Sequence, residues 1–419
     1  MNPQIFAWDR SYSSLRTKTP WIEYFCLLGL LLAAILLFRF HLGSLPLTPE
    51  EKLLADKALQ ISEKATAFPL VPRLIAFSYS IYGHTIANYW TTRLPGAFLT
   101  ALSVPLLYSL TGELYVTRWP RIFAALMYLM CLPVVCSGRL ANSTGASLFL
   151  MIWTMYCVLV SRRNLRWGLG VGIGLSLMSL TDGVSFLALT TVIVIFLYWD
   201  TPRLLTSKYF GIGVLLGLFP TLLWHWLLWP KNLHTILTFI WPLGLSWYKI
   251  LDFLVHSVPW FIFWASGVKF ALQSRPWSWA KLVLTWLGVV GFSVLFFSLK
   301  VPELILLSTP AFSLAGGTIL AEIKTWPVAK PYPYFWNSIF LSLSALASSF
   351  CLLLFCQIVF NHSTRQPIYF LIFLALTITL VLTTLLISKR DQQFIATLFW
   401  GMYLVLLLLL SSGHWTKLG

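Results

Sequence analysis

Apolar runs of roughly 17–22 residues, each closed by a short polar break, recur from one end of this chain to the other. In lipid such a segment survives only as a helix, because every backbone N–H and C=O must be satisfied within it. The runs number about thirteen on this length criterion: 21–40, 94–112, 119–137, 146–160, 167–181, 183–199, 209–229, 251–268, 282–298, 303–320, 337–357, 368–387 and 394–411. The pattern predicts an all-α polytopic membrane protein. Composition agrees, since 10% of the 419 residues are charged and 58% are hydrophobic, against about 25% charged in soluble domains. The run 68–82 is interrupted by Pro69, Pro72 and Arg73 and is expected to lie in the interface or re-enter.

The net charge of +16 is distributed by topology. Arg10, Arg16 and Lys18, Arg118 and Arg121, Arg162, Arg163 and Arg166, Arg203 and Lys208, Lys269, Arg275 and Lys281, Lys324 and Lys330, and Lys389 and Arg390 fall in alternate breaks. Basic loops face the cytoplasm, so the N-terminus is expected inside and the loop 41–93 outside. No basic patch with interleaved aromatics appears, which argues against a nucleic-acid partner. The six cysteines all lie in apolar runs without a C-x-x-C pair, which argues against disulfide or metal roles. The first run lacks a small-residue cleavage site and reads as a retained helix. The segment 230–250 is expected to be a second outer loop lying in the interface.

Against this apolar background the stretch 45–64, LPLTPEEKLLADKALQISEK, stands out for its acids Glu50, Glu51, Asp56 and Glu63. Thr48 is placed to cap a helix, Pro49 suits its first position, and Glu51 completes a capping box three residues after Thr48. Leu53, Leu54, Ala58, Leu59 and Ile61 give that helix an apolar face. A short amphipathic helix beside the membrane serves as an interfacial anchor or as the rim of a site. Other charges fall at the same membrane level at the ends of apolar runs: Arg93, Arg139, Asp182, Lys300 and Glu303. Ionisable groups placed there are costly and tend to mark function. Each also has a plainer reading. Glu51 caps the helix, Glu50 complements its dipole, Arg93 and Lys300 snorkel, and Asp182 turns the chain between two runs.

The order of these motifs resembles the GT-C membrane glycosyltransferases, in the branch of the protein O-mannosyltransferases and the lipid A aminoarabinose transferase. The resemblance runs from about residue 45 to 320. PEEKLLADKAL stands where that family has an acid pair on a short helix in the first outer loop, followed by FPLVPRLIAFSYSIYG and by the Arg93-Leu94-Pro95 of TTRLPGAFLTAL. RLANSTGASLF, MSLTDG and FSLKVPELILLSTPAFSLAGG are similar to its later Arg-Leu, Leu-Thr-Lys-Gly and Lys-Leu-Pro segments.

The resemblance implies a cytoplasmic segment 1–20, a transmembrane catalytic module 21–320 that includes the outer loop 41–93, and C-terminal helices over 321–419. It implies sugar transfer from a polyprenyl-phosphate donor at the non-cytoplasmic face of a bacterial inner membrane. Glu50 is then the catalytic carboxylate, and Glu51, Arg93, Arg139, Asp182 and Lys300 the substrate-binding groups. The donor is a membrane lipid, so no separate cofactor is expected, while a divalent metal stays open and the acceptor is unassigned. The chain departs from the family at Thr144, where an acid is usual, at Asp182, in place of a lysine, and at Leu304, in place of a tyrosine. These departures set a second reading beside the first: a catalytically degenerate membrane scaffold or lipid-binding subunit.

Overall fold

The computed structural model describes residues 20–63, 70–82, 88–239, 247–296, 301–326, 332–361 and 367–413. Among these the secondary structure is helical throughout, apart from an isolated bridge at Tyr115. The chain opens with α1 (Pro20–Arg39), α2 (Pro49–Glu63), α3 (Leu70–Tyr82) and α4 (Tyr89–Gly112). It continues through α5 (Arg118–Leu129), α6 (Leu132–Arg139), α7 (Thr144–Ser161), α8 (Gly168–Thr181), α9 (Gly183–Asp200) and α10 (Pro202–Leu205). Then follow α11 (Lys208–Phe239), α12 (Trp247–His256), α13 (Trp260–Gln273), α14 (Ser278–Phe296) and α15 (Val301–Leu306). The last four are α16 (Thr309–Lys324), α17 (Tyr334–Asn361), α18 (Pro367–Ser388) and α19 (Phe394–Ser411).

Nine helical segments among the described residues are long and apolar enough to cross a bilayer, and eleven if two bent pairs each count as one crossing. The protein is thus an integral multi-pass membrane protein, and two of the thirteen expected runs are bent. The run 119–137 is broken into α5 and α6 by a 57° bend, and 251–268 into α12 and α13 by a 104° bend. Pro133 and Pro259 stand just inside or at the start of the second helix of each pair. A proline there lacks the N–H that would continue the preceding helix. In the segment 230–250, helix α11 continues to Phe239 and α12 begins at Trp247, and residues 240–246 lie outside the described residues.

A helix broken in lipid leaves carbonyls without water to bond them. Tryptophan supplies the missing donors. Trp260 Nε1 donates to Met130 O, at the α5–α6 break, at 2.9 Å, and Trp286 Nε1 donates to Leu307 O, between α15 and α16, at 2.8 Å. Both indoles are at most 1% exposed. These two tryptophans are therefore core residues that mend breaks.

Helices α8 and α11 pack through glycines spaced four apart, Gly168 and Gly172 on one and Gly213 and Gly217 on the other. A Cβ at Gly217 would lie 2.6 Å from Gly172 Cα, and Ser176 Oγ donates to Gly217 O at 2.7 Å. Small residues let two backbones approach where dispersion, not water exclusion, drives association. Gly217→Ala is expected to cost about 1–3 kcal/mol, read as a lower unfolding midpoint in detergent. An unchanged midpoint would show that the two helices do not need this approach.

The charged ends of the helices fall into two groups. On one face, Asp200 pairs with Arg162 at 2.7 Å and Lys281 at 3.3 Å, Glu113 with Arg163 at 2.7 Å, and Glu23 with Arg118 at 2.9 Å. These pairs tie together the ends of α1, α4, α5, α7, α9 and α14. On the opposite face lie α2, α3 and the turns around Arg93, Arg139 and Asp182. There α2 builds a small core of its own: Ala58 packs with Ile75 and Tyr79 of α3 and with Ala141. Leu53, expected on the apolar face, is 57% exposed.

Candidate active site in the loop between α1 and α4

The capping box expected from Thr48 and Glu51 forms. Glu51 N donates to Thr48 Oγ1 at 3.3 Å, and Thr48 N donates to Glu51 Oε2 at 2.8 Å. The cap is only part of what Glu51 does. Arg93, entering α4, donates from Nε to Glu51 Oε1 at 2.8 Å and from Nη2 to Oε2 at 2.7 Å, a two-pronged pair with both side chains at most 2% exposed. The remaining guanidinium donors reach Leu42 O at 3.2 Å, Leu45 O at 2.9 Å and Pro46 O at 3.0 Å. All five N–H groups of Arg93 are thus directed at the protein. Ala141 N adds a further bond to Glu51 Oε1 at 2.9 Å. One buried ion pair gathers the loop after α1, the start of α2, the start of α4 and the turn after α6.

Burial by itself raises the pKa of Glu51. The Arg93 hydrogen bonds, the Ala141 and Thr48 N–H groups and the Arg93 charge outweigh it, so the net shift is downward. A carboxyl with a depressed folded pKa stabilises the fold above its unfolded value, about 4.3, and loses that contribution as pH falls through the folded value. Acidification to below about pH 4 is expected to speed amide hydrogen exchange in α2 before the rest of the protein opens. In Glu51→Gln the exchange step should vanish. A step that survives the substitution would assign it to another group.

Arg139 closes α6 and is fully buried. It donates to Leu37 O at 2.8 Å and Phe40 O at 2.5 Å, so its charge sits on the carbonyl end of α1, where the helix dipole favours a cation. Asp182 caps α9, accepting from Ser185 N at 3.0 Å and Ser185 Oγ at 2.5 Å, which matches the turn reading of that residue. Thr144 is the first residue of α7, 3% exposed, its N–H bonded to Asn142 Oδ1 at 3.1 Å. Leu304 is buried in the core. Lys300 lies outside the described residues.

Beside the Glu51–Arg93 pair lies a cavity of about 270 Å³. Its walls are α2, the start of α3, the turn 140–143, the end of α8 and α15, with Glu50, Glu51, Lys57, Asn142, Thr181 and Glu303 contributing polar atoms. Glu50 is exposed and faces this space while its neighbour Glu51 is buried. The structure therefore brings together Glu50 and Glu51 of α2 with Glu303 of α15. It sets Arg93, Arg139 and Asp182 in the supporting wall. Lys57 was not singled out from the sequence, though the signal was present. Glu50, Leu54 and Lys57 are spaced i, i+4, i+7, one face of a helix, and all three line the cavity. Among the described residues no three His, Cys, Asp or Glu groups converge to hold a metal ion. What the cavity offers is an accessible carboxylate, an ammonium about two helical turns away, and a second carboxylate from α15.

A protein-family model described as dolichyl-phosphate-mannose-protein mannosyltransferase matches residues 64–226. The chain is 26% identical over 274 residues to the undecaprenyl phosphate-alpha-4-amino-4-deoxy-L-arabinose arabinosyl transferase 1 of Pseudomonas fluorescens. That alignment covers 59% of this chain and 48% of the relative, so the chain spans about half the length of the curated relative it matches. In fold it is similar to the crystal structure of ArnT from Cupriavidus metallidurans bound to undecaprenyl phosphate, with a TM-score of 0.69 and 16% identity over 96% of this chain and 78% of that one. The apo state of the same protein gives 0.67 and 17%, over 93% and 77%. The archaeal oligosaccharyltransferase AglB from Archaeoglobus fulgidus gives 0.53 and 12%, over 94% and 56%. Over residues 64–226 the chain matches the mannosyltransferase family, and over nearly its whole length it has the fold of the GT-C glycosyltransferases of the aminoarabinose-transferase and protein-mannosyltransferase type.

Proposed function

We propose that the protein transfers a sugar from a polyprenyl-phosphate donor to an acceptor at the non-cytoplasmic face of a bacterial inner membrane, with the N-terminus cytoplasmic. The observation that carries this reading is the exposed Glu50 carboxylate in a cavity at the membrane face, on a helix locked by the buried Glu51–Arg93 pair beside it. An acceptor hydroxyl or amine attacks the anomeric carbon, the bond from that carbon to the phosphate oxygen breaks, and the acceptor proton passes to Glu50. The polyprenyl phosphate departs with the electron pair, and Lys57 meets the charge that grows on it. Lys300 keeps the phosphate-binding role that the resemblance gives it. Glu51, Arg93, Arg139 and Asp182 act as positioning groups, since their polar atoms hold the walls. The donor carries its own activated bond, so the reaction is written without a cofactor.

One observation favours the scaffold reading. Thr144 and Asp182 occupy places where the family resemblance leads one to expect charged substrate contacts, and here they start or cap helices. Purified protein in lipid, supplied with polyprenyl-phosphate sugars and candidate acceptors, separates the two. Sugar transfer establishes the enzyme. Binding of the polyprenyl phosphate with no transfer across the donor panel establishes the lipid-binding subunit.

A further inference from the structure

On the face opposite the Glu50 cavity, a second and larger hollow of about 710 Å³ opens between α1, α5 and α19. That volume lies within the ~300–1,000 Å³ range of small-molecule sites. Its walls are almost wholly apolar, and an aromatic ladder runs along them. Trp119 stacks on Phe123 with centroids 5.6 Å apart and Phe123 on Phe399 at 6.0 Å, and the buried Trp260 backs Phe399 at 5.0 Å. Trp400, on the rim, is 76% exposed. The mouth is different in kind. Lys324, the last residue of α16, holds its ammonium 2.8 Å from the Trp119 ring centroid. Gln392 Nε2 donates one bond to Lys324 O at 3.3 Å, leaving its second N–H for a ligand, and Gln393 lines the same mouth. Glu322 stands two positions before Lys324 on α16, a spacing at which helix side chains do not face each other, and Asp391, beside Gln392, accepts from Gln393 N at 2.9 Å. Among the described residues no carboxylate forms an ion pair with Lys324.

We propose that this groove holds an anionic phospholipid from the leaflet opposite the Glu50 cavity, one acyl chain along the aromatic ladder and its phosphate at Lys324 and the two glutamine amides. The wall is apolar and opens toward lipid, which suits a chain. The mouth presents a cation and amide donors at the membrane surface, which suits a phosphate with net negative charge. A zwitterionic lipid fits the wall equally but carries a cation that Lys324 repels.

The test is native mass spectrometry of the intact protein, with phosphatidylglycerol and phosphatidylethanolamine of identical chains offered in equal amounts. The wild type is expected to retain phosphatidylglycerol about fivefold more. Lys324→Gln should bring the two lipids to parity while keeping chain occupancy, and Ala396→Trp, which fills the groove wall, should lose both. Lys389→Gln, an exposed cation at the same end of the neighbouring helix α18, should leave the preference unchanged. Equal retention by the wild type, a preference that survives Lys324→Gln, or an equal loss in Lys389→Gln would each overturn the proposal. So would a dimer that Ala396→Trp dissolves, because the occupant would then be a second copy of this chain.

Discussion

Glu50→Gln is expected to lower sugar transfer by about 10²–10⁴-fold, the range over which a positioned general base contributes, while leaving the unfolding midpoint where it was. Glutamine keeps the shape and the helix position but cannot take the acceptor's proton. Glu50 is exposed, and neither oxygen is needed to hold the loop together. The loss should therefore fall on kcat, with binding of the polyprenyl phosphate intact. Glu50→Asp should recover part of the activity, since it restores the base but shortens its reach by one methylene. Transfer at the wild-type rate in Glu50→Gln would remove Glu50 from the chemistry and make Glu303, which lines the same cavity, the next carboxylate to substitute.

The second large effect concerns the residue next along. Arg93→Met is expected to destabilise the protein by about 3–5 kcal/mol, because it strands the buried Glu51 carboxylate without its cation. It also leaves three carbonyls, at Leu42, Leu45 and Pro46, without the donors that now serve them. Arg93→Lys should rescue little, since an ammonium cannot present five donors in a planar fork. Pairing Arg93→Met with Glu51→Gln in a double-mutant cycle should give a combined loss well below the sum of the two singles. Additive losses would mean that the pair is not the unit the geometry shows. In the same variants transfer should fall as well, because Glu50 rides on the helix that this pair positions, and small misplacements of a reacting group are costly. The two experiments part the roles: one variant loses turnover with its fold intact, the other loses both.

Much of the fold was legible in the sequence because lipid permits so few solutions. A run of apolar residues of bilayer length admits only a helix, and the capping box at Thr48 and Glu51 is a local device whose atoms all lie within one turn. The breaks were less legible. Met130 and Leu307 carry no mark in the sequence of having free carbonyls, and the indoles that satisfy them come from Trp260 and Trp286, far along the chain in one case. The length of a hydrophobic run reports that a segment is buried in the membrane, not whether it crosses straight.

The candidate site divides in the same way. The sequence by itself determined that an acid pair opens a short helix at one membrane face, and helical spacing places Glu50 and Lys57 on a common side of it. Only the tertiary structure decided what each acid is for. Glu50 and Glu51 are chemically alike and adjacent, but successive helix positions point about 100° apart, so one faces the cavity and the other faces the interior. Which direction is interior is set by what packs there: Arg93 from α4, the Ala141 amide from the turn after α6, and the carbonyls of the loop after α1. Those partners are 42 and 90 positions away from Glu51 in the chain, and no local pattern records their approach.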